Sequence, residues 1–165
     1  MILLISTCRE KMHELEFVKP VFDIVKKTLA NNRTIVKHYR NLAISDINNS
    51  DKIIICGTSL KDNDFLKDNK KFYWIKSFKK PVLGICSGAH IIGLVLGKKI
   101  KKRKEIGLKE IEIKKEFLGI MGKRQVYHLH NLQVLPETFQ KKNLYATLFH
   151  PEVRNREMIV NFLRI

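Results

Sequence analysis

A chain of 165 residues is long enough for one domain with a substantial core and too short for two ordinary ones. With 44% hydrophobic and 29% charged residues, it is neither wholesale disordered nor a collagen-like or coiled-coil repeat. The balance of 32 Lys+Arg against 16 Asp+Glu, a formal charge of +16, predicts attraction to something acidic, whether nucleic acid, an anionic surface or an acidic protein.

The chain opens on a short apolar run, Ile2 to Ile5, which reads as a buried strand. It is broken at once by Ser6, Thr7, Cys8, Arg9 and Glu10, so no secretory signal is legible. No run of about 18 apolar residues is present, and no membrane association is expected. Cys8, Cys56 and Cys86 are an odd number without pairwise clustering, which argues against a disulfide framework and a Cys-x-x-Cys metal site and predicts a cytoplasmic location. Cys8 reads as an inert thiol at a strand end.

Helical spacing of Phe17, Val18, Val21, Phe22, Ile24, Val25 and Leu29 predicts a helix over 17–29. Thr34 to Tyr39 reads as a second strand, and Lys52 to Cys56 as a β-branched one closed by Gly57, Thr58 and Ser59. After a polar stretch from Lys61 to Lys71, Phe72 to Phe78 predicts a short amphipathic helix with Trp74 and Phe78 in the core. Pro81 to Cys86 is again a buried strand, running directly into a helix over 87–96 with Gly97 at its end. Such alternation predicts a mainly parallel α/β sheet covered on both faces. From Lys109 the pattern changes to alternation typical of antiparallel hairpins, and a last strand, Leu144 to Phe149, precedes a helix over 153–163. Residues 1–165 read as a single domain without repeats or linkers.

Gly84-Ile85-Cys86-Ser87-Gly88 stands at a strand-to-helix junction. Small residues on either side permit a tight turn that lifts the central side chain above the sheet, and the following helix N-terminus favours a thiolate. A buried structural cysteine is the alternative reading of the same spacing. A thiol nucleophile needs a base and an orienting acceptor. His150-Pro151-Glu152 offers both, because Pro151 biases His150 to an extended conformation in which residues i and i+2 project to one side. Seen alone, the same tripeptide is a turn histidine followed by a glutamate in the first turn of a helix.

In its G-I-C-x-G elbow and its F-H-P-E-V stretch at Phe149 to Val153, the chain resembles the class I glutamine amidotransferases. Ile53 to Gly57, Ile106-Gly107 and His130 with Leu135-Pro136-Glu137 extend the resemblance over nearly the whole length. Among the family's branches, the chain resembles the free-standing glutaminase subunit of guanosine monophosphate synthase. The resemblance implies a three-layer α/β fold and a triad of Cys86 as nucleophile, His150 as general base and acid, and Glu152 as orienter. It also implies an oxyanion hole from the backbone N–H groups of Gly57 and Ser87, glutamine as substrate and no cofactor. Ammonia would pass to a separate synthetase partner, since this length leaves no room for an acceptor domain.

Three departures from the family pattern bear on specificity. His90 stands where the family has a glutamine that holds substrate, Cys56-Gly57-Thr58 replaces Gly-Gly-Pro, and Ser6-Thr7-Cys8 replaces an acidic, glycine-containing start. A thiol amidase for another γ-glutamyl compound or small amide, and a non-catalytic binding or regulatory protein on the same fold, therefore stay open beside the glutaminase reading. The basic run Lys98 to Lys104 reads as a solvated turn after a helix, without the aromatic signature of RNA binding, so nucleic acid is not an expected partner. His128 and His130 alternate on one strand face, but no third ligand follows from the sequence. They read as a polar strand face, and no metal is expected.

Overall fold

The computed structural model describes residues 1–165. In chain order the elements are β1 (Ile2–Ser6), α1 (Glu14–Phe17), α2 (Lys19–Thr28), β2 (Thr34–His38), α3 (Ile44–Asn48), β3 (Lys52–Ile55), α4 (Asp64–Lys67), β4 (Val82–Ile85) and α5 (Ser87–Val95). The second half holds β5 (Lys101–Phe117), β6 (Ile120–Gln133), β7 (Thr138–Lys141), β8 (Leu144–Thr147) and α6 (Glu157–Arg164). Six strands form one sheet in the order β2-β1-β3-β4-β8-β7, parallel throughout except for the antiparallel edge strand β7. The remaining two strands, β5 and β6, form a long antiparallel hairpin.

Period-two alternation sends the β-branched and leucine side chains of the central strands to opposite faces. Ile2, Leu4, Ile54 and Leu83 pack on one face against Val21 and Val25 of α2, Met158 and Phe162 of α6, and Ile113, Phe117 and Val126 of the hairpin. Leu3, Ile5, Ile53 and Val82 pack on the other, against Phe65, Phe72, Ile75 and the α5 residues Ala89 and Ile92. Burial on both faces is why these strands are continuous apolar runs.

Several boundaries differ from the sequence reading. The hairpin begins at Lys101, not Lys109, so the basic run feeds an exposed strand end instead of a turn. Alternation fails as a signal there because Lys101 to Lys104 are all exposed, leaving no buried face to mark the strand. Edge strand β7 has a single buried residue, Phe139, and was not legible for the same reason. The polar stretch 61–71 contains α4, whose one buried side chain is Phe65. The segment over 72–78 is a 3₁₀ helix, Asn69–Lys76, that buries Phe72 and Ile75, while Trp74 and Phe78 are half-buried and meet edge to face at 5.7 Å. The last helix starts at Glu157 instead of Val153, because residues 151–153 form a turn, Arg154 bends the chain and Asn155 has a φ of 75°.

Candidate active site

Parallel strands place their following loops at one edge of the sheet, the common location of ligand sites in open α/β folds. Here that edge gathers Ser6-Thr7-Cys8 after β1, Cys56-Gly57-Thr58 after β3, Cys86 after β4 and His150 after β8.

Cys86 adopts φ 50° and ψ −100° between β4 and α5, a strained conformation for a residue with a Cβ. Its backbone explains the flanking glycines. A Cβ on Gly84 would lie 2.4 Å from the Gly88 carbonyl oxygen, and one on Gly88 would lie 2.3 Å from the Ile55 carbonyl oxygen. Close approach of α5 to β3 and β4 therefore requires glycine at both positions. The Cys86 N–H donates to the Thr147 carbonyl at 2.8 Å, and its Sγ lies 3.6 Å from the Leu129 carbonyl oxygen.

His150 Nδ1 lies 2.7 Å from Glu152 Oε1, and both side chains are buried. The two residues are held in this arrangement by a turn in which the Val153 N–H donates to the His150 carbonyl, while the His150 N–H donates to the Tyr127 carbonyl at 2.9 Å. Phe17 covers the imidazole at 5.7 Å between ring centroids. Burial pulls the His150 pKa down, but the Glu152 carboxylate and the neighbouring Cys86 sulfur outweigh it and hold the imidazole well above its ordinary value. The three residues of the expected triad are thus brought together, with the imidazole Nε2 buried and without a hydrogen-bond partner.

Gly57 lies against both. A Cβ added there would be 2.7 Å from His150 Cε1 and 3.5 Å from Cys86 Cβ. Ser87 occupies the first turn of α5, where backbone N–H groups lack intrahelical acceptors. Its hydroxyl donates to the Cys56 carbonyl at 3.0 Å and lies 2.8 Å from Thr7 Oγ1, so the side chain ties the elbow to the β1 and β3 loops.

His90 is one turn along α5 and is buried, its N–H donating to the Cys86 carbonyl. Its Nε2 lies 3.0 Å from the Leu132 carbonyl oxygen, its ring stacks on Phe65, and its Nδ1 is buried without a partner. Burial, only partly opposed by the Leu132 hydrogen bond, lowers its pKa to about 4, so it is neutral at neutral pH.

Asp62 escaped the sequence reading. It is buried and accepts from the Arg9 N–H at 2.9 Å and Thr58 Oγ1 at 2.9 Å, with His13 Nδ1 at 3.0 Å, fastening the loop that carries Gly57 to the loop after β1. One aspartate in a polar stretch carries no local signal of this role. Cys8 is buried after β1 with Sγ 3.9 Å from the Gly57 carbonyl oxygen, and burial raises its pKa, as expected of an unreactive thiol. His128 and His130 lie on one strand face and are buried, and the hairpin brings Glu105 to them.

The fold and this edge define an α/β protein with an elbow cysteine beside a buried His–Glu pair. Residues 16–161 match the family model for class-I glutamine amidotransferases, and the chain belongs to that family. It is 26% identical to the imidazole glycerol phosphate synthase subunit HisH of Pelagibacter ubique, over 74% of this chain and 83% of that protein. It is 31% identical to the glutamine-hydrolysing GMP synthase of Thermotoga petrophila over 72% of this chain but only 28% of that protein. The solved structure of a GMP synthase-like protein from Thermoplasma acidophilum superposes with a TM-score of 0.82 at 19% identity, covering 99% of this chain and 92% of that one, which shows a shared fold.

Proposed function

We propose that the chain, acting as one domain, is a cysteine-dependent glutaminase that supplies ammonia to a separate synthase partner in the cytoplasm. The observation that carries this reading is the 2.7 Å His150–Glu152 pair set beside the strained elbow of Cys86. His150 takes the Cys86 thiol proton, and the sulfur attacks the side-chain carbonyl carbon of glutamine, forming a C–S bond as the carbonyl π pair moves to oxygen to give a tetrahedral oxyanion. The N–H groups of Gly57 and Ser87 stabilise that oxyanion, and oriented donors of this kind typically contribute a few kcal/mol. His150 then gives its proton to the departing nitrogen, the C–N bond breaks, and ammonia leaves a γ-glutamyl thioester. Water attacks the thioester with His150 as base, the C–S bond breaks as His150 returns the proton to sulfur, glutamate is released and the thiol is regenerated. Glu152 holds the imidazole in the required tautomer and stabilises its charged form.

A separate partner accords with the relative named as a subunit of imidazole glycerol phosphate synthase, and with the chain matching about a quarter of a GMP synthase. Three free cysteines accord with a reducing compartment. A second reading, a thiol amidase for another γ-glutamyl compound, is favoured by His90, whose buried and unpartnered Nδ1 replaces the family's substrate-holding glutamine. Ammonia release from glutamine, measured with and without candidate synthases and in Cys86→Ala, tests both readings. Turnover of glutamine that is lost on Cys86→Ala supports the first, turnover only of other amides supports the second, and activity surviving the substitution refutes the mechanism.

A further inference from the structure

Beside the candidate active site, three ligand-type side chains converge where β5 meets β6. Glu105 pairs across the hairpin with His130, and Gly107 with His128. His128 Nδ1 and His130 Nε2 are 3.0 Å apart, and Glu105 Oε2 lies 3.5 Å from His130 Nε2 and 3.8 Å from His128 Nδ1. Both rings are buried, and the other carboxylate oxygen, Glu105 Oε1, is engaged by Lys109 Nζ at 2.8 Å and Arg103 Nε at 3.0 Å. Glu105 is therefore held with a buried Oε2 that has no hydrogen-bond partner and is aimed at the two rings.

The outer nitrogens determine what the inner ones present. His130 Nδ1 lies 3.3 Å from the Arg103 carbonyl oxygen, which can only accept, so the proton belongs on Nδ1 and Nε2 carries a lone pair. His128 Nε2 is buried without a hydrogen-bond partner, with Glu137 Oε2 3.7 Å away; a proton on Nε2 would face that carboxylate and leave the lone pair on Nδ1. With these tautomers two ring lone pairs and a carboxylate oxygen point at one another across 3.0–3.8 Å, an arrangement that a bound cation satisfies at all three atoms. A single proton between the rings would satisfy those two and leave Glu105 Oε2 bare.

We propose that Glu105, His128 and His130 form a zinc site that clips β5 to β6. Ligands at bonds of about 2.1 Å in a tetrahedron are separated by about 3.4 Å, which the three distances bracket. Two imidazoles and one carboxylate are a donor set that suits Zn²⁺. An outer N–H donated to a backbone carbonyl is a usual support for a metal-bound imidazole, here supplied to His130 by Arg103, while Glu137 Oε2 lies 3.7 Å from the outer nitrogen of His128. The clip lies on the strand that touches both catalytic residues: the Tyr127 carbonyl accepts from the His150 N–H, and the Leu129 carbonyl contacts Cys86 Sγ. Zinc at His128 and His130 would hold that stretch of β6 in place.

Zn²⁺ binding is measured by competition with a chromophoric chelator, using the full chain carrying Cys86→Ala so that the catalytic thiol cannot contribute. The expected result is one Zn²⁺ per chain, an affinity loss of about tenfold or more on adding Glu105→Gln or His130→Ala, and a raised Tm with Zn²⁺ that Glu105→Gln abolishes. Co²⁺ in place of Zn²⁺ should give the intense visible absorption of a tetrahedral site. Absence of stoichiometric binding at micromolar free Zn²⁺, or binding undiminished by these substitutions, would overturn the proposal. Glu105→Gln is nearly isosteric, so it remains decisive where the histidine variant does not fold.

Discussion

Gly57 and His150 touch so closely that the backbone of one sets the position of the other: a Cβ on Gly57 would lie 2.7 Å from the imidazole Cε1. The contact explains why a loop after β3 can matter to a histidine after β8. Gly57→Ala is expected to fold and to lose about 10²-fold in glutaminase turnover, because displacing a reacting group by even an ångström costs about that much. Steady-state ammonia release together with circular dichroism would separate the two effects.

Glu152→Gln keeps the shape of the side chain but removes the charge that faces His150 Nδ1. Turnover is expected to fall by about 10³-fold or more, as when a triad carboxylate is neutralised. The variant also reports on stability. Because the folded pKa of His150 is raised, the stabilisation is fully present below the unfolded value and is lost as pH rises through the folded one. Urea unfolding should show the wild-type chain losing stability at alkaline pH, with that decline reduced in Glu152→Gln.

His90 has the opposite sign. Its folded pKa of about 4 lies below the unfolded value, so its contribution is present above about pH 6.5 and is lost as pH falls towards 4. Replacement by the family's glutamine should flatten the acid limb of the stability profile by up to about 3 kcal/mol. The same variant should lower the KM for glutamine if the substrate is glutamine. An unchanged acid limb would show that the ring is not held neutral by burial.

Asp62 binds three donors from two loops, and Asp62→Asn exchanges one accepting oxygen for a donor. A loss of about 1–3 kcal/mol is expected in urea unfolding at neutral pH. Because its neighbours lower the Asp62 pKa despite burial, this stabilisation is present above its unfolded value and disappears as pH falls through the folded one. The difference between wild type and Asp62→Asn should therefore shrink in acid. Since the Gly57 loop is loosened, turnover should fall as well.

Patterns confined to neighbouring residues were legible without coordinates. Continuous apolar runs marked β1, β3 and β4 because both faces of the sheet are covered, and glycines two residues either side of Cys86 marked the elbow because the backbones of α5, β3 and β4 nearly touch. His150-Pro151-Glu152 was legible because its two functional side chains lie two residues apart. Where a strand has no buried face, as at Lys101 to Lys104, periodicity is silent and the boundary was misread.

Only the tertiary structure decided which distant residues meet. Asp62 reaches Arg9 and His13 across some fifty positions, and Glu105 reaches His128 and His130 through the register of the hairpin. Sequence alone determined an α/β chain with a cysteine elbow and a His–Glu pair, because those features arise from local backbone conformation and short spacing. The folded chain determined that Gly57 presses on His150, that His90 is buried and neutral, and that two histidines of one strand face a carboxylate, because such contacts depend on strand order and register, which no local pattern encodes.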